Sequence, residues 1–453
     1  MKRPVLILSI IFVVILFSAC SDKGNDSSDN GNGDIEKVPA GGTLYTAVNS
    51  DGIGNIAVRV KLPETARYGD DGAPVVIQVP CFFTAVVGFY ENIDCNLIGF
   101  INVALLWPGK TDPETGAYSD GTYNYGDESC IRALKDVIRF ITGEVPDTGG
   151  HYLSELIEIE PIYENSGVFA FSHPGIAGTN VLALYGSEIP KVKYFVGREN
   201  PTLDAMSSVE IGFVGDDGVD YQNPLYRYPE CYSDTALFLD YTSVDWYVHD
   251  SIPEGRPVFV IDDSADHILC YKCPRMWDER YYSIELTQAL LDNGALTMET
   301  WPSGVANPIE TARDWPFRTT VRNYPYLATE LPNLRVMLIF GKRDHIQAAP
   351  DKPHIHQAYA GFKRGAGLWV RLNPDRCYVA SMNCVFADAF PDEDANTEPP
   401  NWIYSRDWGY PNVGNANMIA SLAGVAEMAD RVQADIWDDN LDQVLCDYEN
   451  DVW

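Results

Sequence analysis

The sequence predicts an α/β fold in which a mainly parallel sheet is flanked by helices. Continuous apolar runs at residues 74–79 (PVVIQV), 99–107 (GFINVALLW) and 335–340 (RVMLIF) are typical of strands that are buried on both faces. Residues 130–141 (CIRALKDVIRFI) instead carry apolar side chains at helical spacing. Strands that alternate with helices favour a parallel sheet covered by helices on both faces. Ligand sites in such sheets form in the loops beyond the carboxyl ends of the strands.

The first half of the chain follows this alternation closely. Residues 43–62 form two β-rich runs around the turn residues 49–52 (NSDG), which predicts a hairpin. The helix at residues 130–141 is preceded by residues 127–129 (DES), a sequence that caps helix N-termini. The other elements predicted in this half are strands at residues 167–171 and 192–196 and a helical segment at residues 179–184.

The alternation stops in a segment that is rich in Asp, Tyr, Trp and Pro, at residues 200–325. This segment is predicted to be an insertion that forms a lid or cap, with two strand-like runs (residues 236–241 and 257–261) and one helix (residues 284–291). Beyond it, the elements predicted are the strand at 335–340, a helix near 353–362, a strand at 368–372 and a helix at 415–434.

The N-terminal residues predict export. Lys2 and Arg3 precede an apolar run at residues 5–17, which is too short for a comfortable membrane span and is typical of a secretory signal. The run ends in Ser18-Ala19-Cys20, which resembles the lipobox of bacterial lipoproteins, although Phe17 stands at the usual Leu position. The resemblance implies cleavage before Cys20, lipid attachment to its thiol, and a location in the cell envelope facing the periplasm or the cell surface. The alternative is an ordinary signal peptide with an incidental cysteine.

These observations predict six segments along the chain. They are a lipoprotein signal peptide (1–19), a flexible polar tether (20–42), a first core part (43–199), the insertion (200–325), a second core part (326–385) and a C-terminal extension (386–453).

The charge of the chain excludes one class of partner. With 65 acidic and 32 basic residues, the net charge is −33, and such a surface repels nucleic acid and anionic membrane. No nucleic-acid partner is therefore expected, and contact with a membrane is expected only through the lipid on Cys20.

The strand at residues 167–171 ends at Ser172, and a helix is predicted to begin within a few residues. This strand–turn–helix setting is that of a nucleophile elbow, where a serine sits on a strained tight turn between small neighbours. The residues 170–175 (AFSHPG) resemble the G-x-S-x-G motif of the α/β-hydrolase family, broadly its esterases and dipeptidyl hydrolases. Pro174 replaces the second glycine, and Gly175 follows. The alternative is an ordinary strand–helix turn in which the serine caps the helix.

The resemblance covers about residues 43–200 and 325–385, and it implies an α/β-hydrolase-type fold with Ser172 as nucleophile. It further implies that the backbone N–H of His173 and that of Cys81 or Phe82 form an oxyanion hole, which stabilises the charge developing on a carbonyl oxygen.

The resemblance also implies a catalytic acid. Residues 339–345 (IFGKRDH) are similar to the acid-bearing turn of the family, so Asp344 is expected to orient a histidine and stabilise its charged form. A surface aspartate in an ordinary turn is the alternative.

The base is the part of the site that the sequence leaves open. The family places its histidine after the strand that corresponds to residues 368–372, but residues 373–377 (NPDRC) contain none, and no histidine follows His356. Asp375 in this loop is a poor base toward a serine hydroxyl. His354 is the provisional base, because Pro353 would start a helix at the same end of the sheet as Asp344. The other possibilities are His356, His173, His267, or an incomplete triad.

No cofactor and no metal site is predicted. Residues 270–273 (CYKC) have no second cysteine or histidine pair at zinc spacing, and the Asp-rich residues 216–220 and 262–266 do not fit a calcium-binding loop. The cysteines beyond Cys20 are expected to form structural disulfides or buried thiols.

Two functional hypotheses follow. The first is a lipid-anchored serine hydrolase of the carboxylesterase or peptidase type, which cleaves an ester or amide in a small-molecule or peptide substrate. The second is a non-catalytic surface lipoprotein that uses a hydrolase scaffold for binding, because a fold does not dictate function.

Overall fold

The computed structural model describes most of the chain between Glu36 and Asp438. The described residues are 36–81, 88–203, 210–214, 220–227, 238–250, 252–260, 267–268, 282–340, 352–375, 377–379, 381–382 and 413–438. Three of the predicted functional residues, Cys20, Phe82 and Asp344, lie outside these ranges, as does the predicted signal peptide.

The helices and strands follow one another in the order that the sequence predicts for the core. The strands are β1 (Thr43–Ser50), β2 (Gly54–Lys61), β3 (Ala73–Gln78), β4 (Ile101–Leu105), β5 (Pro161–Phe171), β6 (Val192–Arg198), β7 (Gly212–Val214), β8 (Asp220–Gln222), β9 (Tyr226–Arg227), β10 (Phe238–Leu239), β11 (Val244–His249), β12 (Ile252–Val260), β13 (His267–Ile268), β14 (Arg335–Ile339) and β15 (Trp369–Leu372). The α-helices are α1 (Glu128–Ile141), α2 (Leu153–Leu156), α3 (Pro174–Tyr185), α4 (Ile284–Asp292), α5 (Pro308–Arg318), α6 (Leu327–Glu330), α7 (Pro353–Tyr359) and α8 (Val413–Ala434).

An eight-stranded sheet forms the centre of the molecule, in the order β1-β2-β4-β3-β5-β6-β14-β15. The pairs β1–β2 and β2–β4 are antiparallel, and every pair from β4 to β15 is parallel. The predicted fold class, a mainly parallel sheet flanked by helices, is confirmed. β5 lies in the middle of the parallel part, so the loop after it opens at the centre of the carboxyl edge.

The two faces of the sheet are covered by different helices. Successive side chains of β5 point to opposite faces, as strand geometry requires. Val168 and Ala170 pack into the core that contains α1, α3 and α7, whereas Phe169 packs into the core that contains α8. Of the helices that the structure describes, none is both long enough and apolar enough to cross a membrane.

The helix α8 contributes most of the side chains that cover one face of the sheet. The sequence predicts a helix at 415–434 within an extension, and α8 spans Val413–Ala434. It lies across β5, β6 and β14. A Cβ atom added at Gly424 would come within 2.6 Å of the Ile339 side chain, so the helix backbone lies directly on the sheet.

The insertion has a small core of its own. Val244, Phe259 and Leu286 are buried there between the antiparallel strands β11 and β12 and the helix α4. The predicted helix at 284–291 is α4, but the prediction of a single helix is incomplete, because α5 follows. Asn307 and Glu310 form a capping box at the start of α5, a sequence signal that could have identified this helix.

Candidate active site

Ser172 adopts a backbone conformation that few serines adopt. Its φ angle is 63°, in the left-handed region that sterically disfavours residues with a Cβ atom. β5 ends at Phe171 and α3 begins at Pro174, so the chain reverses direction within two residues. The N–H of Ser172 donates a hydrogen bond of 2.9 Å to the carbonyl of Arg198, at the end of the neighbouring strand β6. A strained serine is therefore fixed at the carboxyl end of the central strand.

The fold is of the α/β-hydrolase type. Its central parallel strand ends in a serine on a tight left-handed turn, followed at once by a helix, and the antiparallel β1 and β2 lie at one side of the sheet. Pro174 opens α3, and its missing N–H costs no helical hydrogen bond at that position.

The side chain of Asn200 bridges three backbone carbonyls around the Ser172 turn. Its Nδ2 lies 3.0 Å from the Ala170 carbonyl, 2.8 Å from the Ser172 carbonyl and 3.0 Å from the Arg198 carbonyl. A Cβ atom at Gly175 would come within 2.2 Å of the Asn200 side chain, so glycine is required there. Gly175 therefore allows the start of α3 to pack directly against Asn200. Asn200 is not among the residues predicted from the sequence, although a polar residue soon after a buried strand can indicate a site at the end of that strand.

Known proteins resemble this chain in structure, and none of those compared matches it in sequence. No protein-family model matches the chain, and no curated protein matches it in sequence. Among solved structures, the chain is similar to brefeldin A esterase, a bacterial homologue of human hormone-sensitive lipase, with 10% identity and a TM-score of 0.42 over 90% of this chain and 81% of that chain. It is similar to a thermostable esterase from Pseudomonas putida ECU1011, with 12% identity and a TM-score of 0.34 over 75% and 72%. It is also similar to prolyl oligopeptidase B from Galerina marginata, with 9% identity and a TM-score of 0.40 over 86% of this chain and 36% of that chain.

Residues with left-handed backbone angles lie at the carboxyl edge of the sheet. Six non-glycine residues in the described part of the chain have a positive φ angle; three of them come directly after parallel strands, and a fourth directly precedes α7. Residues in sparsely populated conformations concentrate at functional sites, where the surrounding structure maintains them. The four are Ser172 after β5, Glu199 after β6, Lys352 between β14 and α7, and Asn373 after β15, and all are buried.

Glu199 is a buried carboxylate that the sequence analysis missed. It is 2% exposed, and its backbone N–H donates a 2.8 Å hydrogen bond to the Ile339 carbonyl of β14. Its Oε1 lies 3.2 Å from the guanidinium of Arg198, which in turn lies 4.8 Å above the Phe171 ring. A desolvated ion pair is costly unless its geometry is good. A charged pair is thus retained beside the Ser172 turn.

The predicted oxyanion residues lie at the expected edge. His173 precedes α3 with helical backbone angles, so its N–H belongs to a helix N-terminus, where anions are stabilised. Cys81 is buried just beyond β3, and its carbonyl accepts a 3.1 Å hydrogen bond from Nε1 of Trp107. His173 thus belongs to the Ser172 turn itself, and Cys81 lies beyond the neighbouring strand β3. Their role stays a prediction.

Two of the four candidate bases lie on α7. His354 and His356 are both buried in this helix, which starts at the carboxyl edge because it returns the chain from β14 to β15. His267 belongs to β13 in the insertion. The assignment of His354 as base stays a prediction, as does that of Asp344 as acid.

The loop after β15 is held by structural contacts. Oδ1 of Asn373 accepts a 3.0 Å hydrogen bond from the N–H of Phe340. The N–H of Asp375 donates to Glu427 of α8 at 2.7 Å, and Glu427 also pairs with Arg371 at 3.2 Å. Hydrogen bonds from the backbone and side chain of Cys377 lower the pKa of Asp375, which makes this carboxylate a weaker base still.

The described cysteines away from the site include buried thiols, one of the two outcomes that the sequence analysis expects. Cys95 and Cys130 are fully buried, and burial raises the pKa of Cys130 to about 12. These thiols are protonated at neutral pH and are poor nucleophiles.

Proposed function

We propose that this protein is an exported, lipid-anchored serine hydrolase that cleaves an ester or amide through Ser172. The observation that carries the proposal is the left-handed backbone of Ser172, at the centre of the sheet edge where ligands bind in parallel α/β folds. Glu199 and Asn373, buried residues with left-handed angles directly after β6 and β15, support the same location.

The proposed chemistry is that of a serine hydrolase. The hydroxyl oxygen of Ser172 attacks the substrate carbonyl carbon while its proton passes to the imidazole of His354, which Asp344 orients. The N–H of His173 and one N–H from Cys81 or Phe82 stabilise the resulting oxyanion. The intermediate collapses to an acyl-enzyme, and the alcohol or amine leaves with the proton from the imidazole. Water, deprotonated by the same imidazole, then hydrolyses the acyl-enzyme to the free acid and restores Ser172.

A fluorophosphonate probe tests the nucleophile. We expect the purified protein to be labelled at Ser172, and we expect Ser172→Ala to abolish both labelling and hydrolysis of p-nitrophenyl esters. Ser166→Ala is the matched control, because Ser166 is a buried serine on the same strand. An unlabelled wild-type protein that leaves these esters intact would instead point to the binding lipoprotein on a hydrolase scaffold.

Lipid attachment is tested separately. The positive residues, apolar run and Ala19-Cys20 junction support modification of Cys20. In bacterial cells fed an alkyne fatty acid, the protein is expected to acquire the label, and Cys20→Ser is expected to remain unlabelled. Cys377→Ser, which removes an exposed thiol, should retain the label. Equal labelling of the Cys20→Ser protein would exclude this anchor.

A further inference from the structure

We propose that Thr202 and Gln357 form a positioning pair that fixes the helix of the candidate base against the Ser172 turn. The proposal rests on the proposed function, because it concerns the placement of His354 relative to Ser172. The hydroxyl of Thr202 donates a 2.5 Å hydrogen bond to Oε1 of Gln357. Thr202 is 1% exposed and Gln357 is fully buried, so water cannot replace either partner.

One short segment connects the turn to this pair. Residues 198–202 (RENPT) follow β6 directly. The carbonyl of Arg198 accepts the N–H of Ser172, and Asn200 contacts the Ser172 carbonyl. Two residues later, Thr202 reaches Gln357 on α7. The backbone that holds the nucleophile is therefore separated from α7 by a few residues of buried chain.

The helical spacing places His354 on the same side of α7 as this contact. Residues three apart on a helix are neighbours on one face, so His354 and Gln357 share a face. Since Gln357 contacts Thr202, that face is directed toward residues 198–202. His354 lies nearly one turn closer to the start of α7, and thus closer to the carboxyl edge that carries Ser172.

A small cavity lies where α7 packs against residues 200–202. It is lined by Thr179 of α3, by Asn200 and Thr202, and by Ile355 and Ala358 of α7. The side of α7 next to the one that carries His354 and Gln357 therefore also borders residues 200–202.

The insertion begins at the same place. Thr202 uses its carbonyl to accept hydrogen bonds from the N–H (2.7 Å) and the hydroxyl (2.9 Å) of Thr320, and Leu203 pairs with Thr319 in an antiparallel bridge. The chain therefore leaves the core at residues 202–203 and re-enters it at residues 319–320, and these two segments are hydrogen-bonded to each other. The Thr202 side chain points to α7 while its backbone is hydrogen-bonded to Thr320, so a substitution of the side chain can test the first contact without removing the second.

The test compares Thr202→Val with Thr202→Ser in the full-length protein. Valine keeps the shape of threonine and lacks the hydroxyl, whereas serine keeps the hydroxyl. We expect Thr202→Val to lower kcat for p-nitrophenyl acetate roughly 10- to 100-fold with little change in KM, because a small misplacement of a base affects the chemical step. Thr202→Ser is expected to keep kcat within about threefold of wild type by the same reasoning.

A double-variant cycle tests whether the two residues act as a pair. Gln357→Met should lower kcat about as much as Thr202→Val does, and kcat of the double variant should be no lower than that of either single variant.

Thr142→Val is the matched control, because Thr142 is a fully buried threonine whose hydroxyl donates to a backbone carbonyl at the end of α1, away from the site. It should lower the melting temperature as Thr202→Val does and leave kcat unchanged. The inference is overturned if Thr202→Val keeps wild-type kcat, if serine fails to restore it, or if the two single losses multiply in the double variant. A wild-type protein that is inactive and unlabelled overturns the proposed function itself, which is a different and recognisable result.

Discussion

At the scale of single residues, Ser172 shows strain that the protein retains. A non-glycine residue in the left-handed region costs about 1–2 kcal/mol. Glycine at this position would adopt the same backbone angles without that cost. The sequence nevertheless has serine, held by the Arg198 carbonyl and by Asn200. Stability alone does not account for this choice, whereas presentation of a hydroxyl group does.

This strain predicts an unusual order of stabilities at position 172. We expect Ser172→Gly to be more stable than Ser172→Ala by about 1 kcal/mol, since alanine keeps the Cβ atom and glycine removes it. Midpoints of urea unfolding, with equal m-values, would measure the difference.

The first turn of α1 supplies the control for this comparison. Ser129 lies there in ordinary helical conformation, and at that position alanine should be more stable than glycine. If alanine is also the more stable residue at position 172, the turn is not strained in solution.

At the scale of elements, α8 is fixed to the rest of the core by charged contacts at its exposed side. Asp430 accepts hydrogen bonds from Nε and an Nη of Arg67, both at 2.7 Å, and from the hydroxyls of Tyr68 (2.9 Å) and Tyr378 (3.0 Å). One carboxylate therefore joins the C-terminal helix to two distant parts of the chain.

Asp430 predicts a component of acid instability. Burial alone would raise the pKa of this carboxyl group, but the hydrogen bonds and positive charge of Arg67 lower it below the ordinary 3.8. A pKa that is lower in the folded state stabilises the protein above the unfolded value, and this stabilisation is lost as the pH falls from 3.8 through the folded value. We expect Asp430→Asn to lower the free energy of unfolding at pH 6 and to make that free energy depend less on pH below pH 4. Chemical unfolding at several pH values measures this.

The exposed Asp70 provides the comparison. Asp70→Asn should leave both the stability at pH 6 and the acid profile close to those of wild type. An Asp430→Asn protein that loses stability in acid as steeply as wild type would assign the acid sensitivity to other groups.

The sequence predicts the elements whose pattern is local. β3 and β14 are short apolar runs, and the carboxylate of Asp127 accepts from the N–H groups of Ser129 and Cys130 at the start of α1, as the capping sequence indicates. β12 begins five residues before the predicted run. The sequence does not indicate this part of the strand, because residues 252–256 include Pro, Glu and Gly, which are unfavourable in strands. Pairing with β11 overrides these local preferences.

The site is predictable only in part, for a similar reason. The position of Ser172 follows from a strand that ends abruptly before small residues. The left-handed angle of Glu199 leaves no sequence signal, whereas that of Asn373 is less unusual because asparagine adopts this region more often than other non-glycine residues. The contact between Thr202 and Gln357 joins positions 155 residues apart, and no local pattern indicates such a pair.

At the scale of the whole molecule, the net charge of −33 opposes compaction. Salt screens such repulsion, with a Debye length that falls from about 30 Å at 0.01 M to about 3 Å at 1 M. We therefore expect the melting temperature to rise by several degrees between about 0.01 M and 0.5 M NaCl, as measured by calorimetry or circular dichroism. KCl at equal ionic strength should give the same rise. A melting temperature that is constant or falls with salt would show that local ion pairs outweigh the overall repulsion.

The place of α8 in the structure has a consequence for biosynthesis. The partners Arg67 and Asp430 lie 363 positions apart, and α8 covers one face of β5, β6 and β14. The N-terminal end of a chain emerges first, from the ribosome or from a secretion channel, so β5, β6 and β14 emerge well before residues 413–434 can cover them. Until then, one face of the sheet exposes apolar side chains to solvent, and chaperones bind such surface. Premature termination before α8 should therefore produce insoluble polypeptide rather than a smaller working domain.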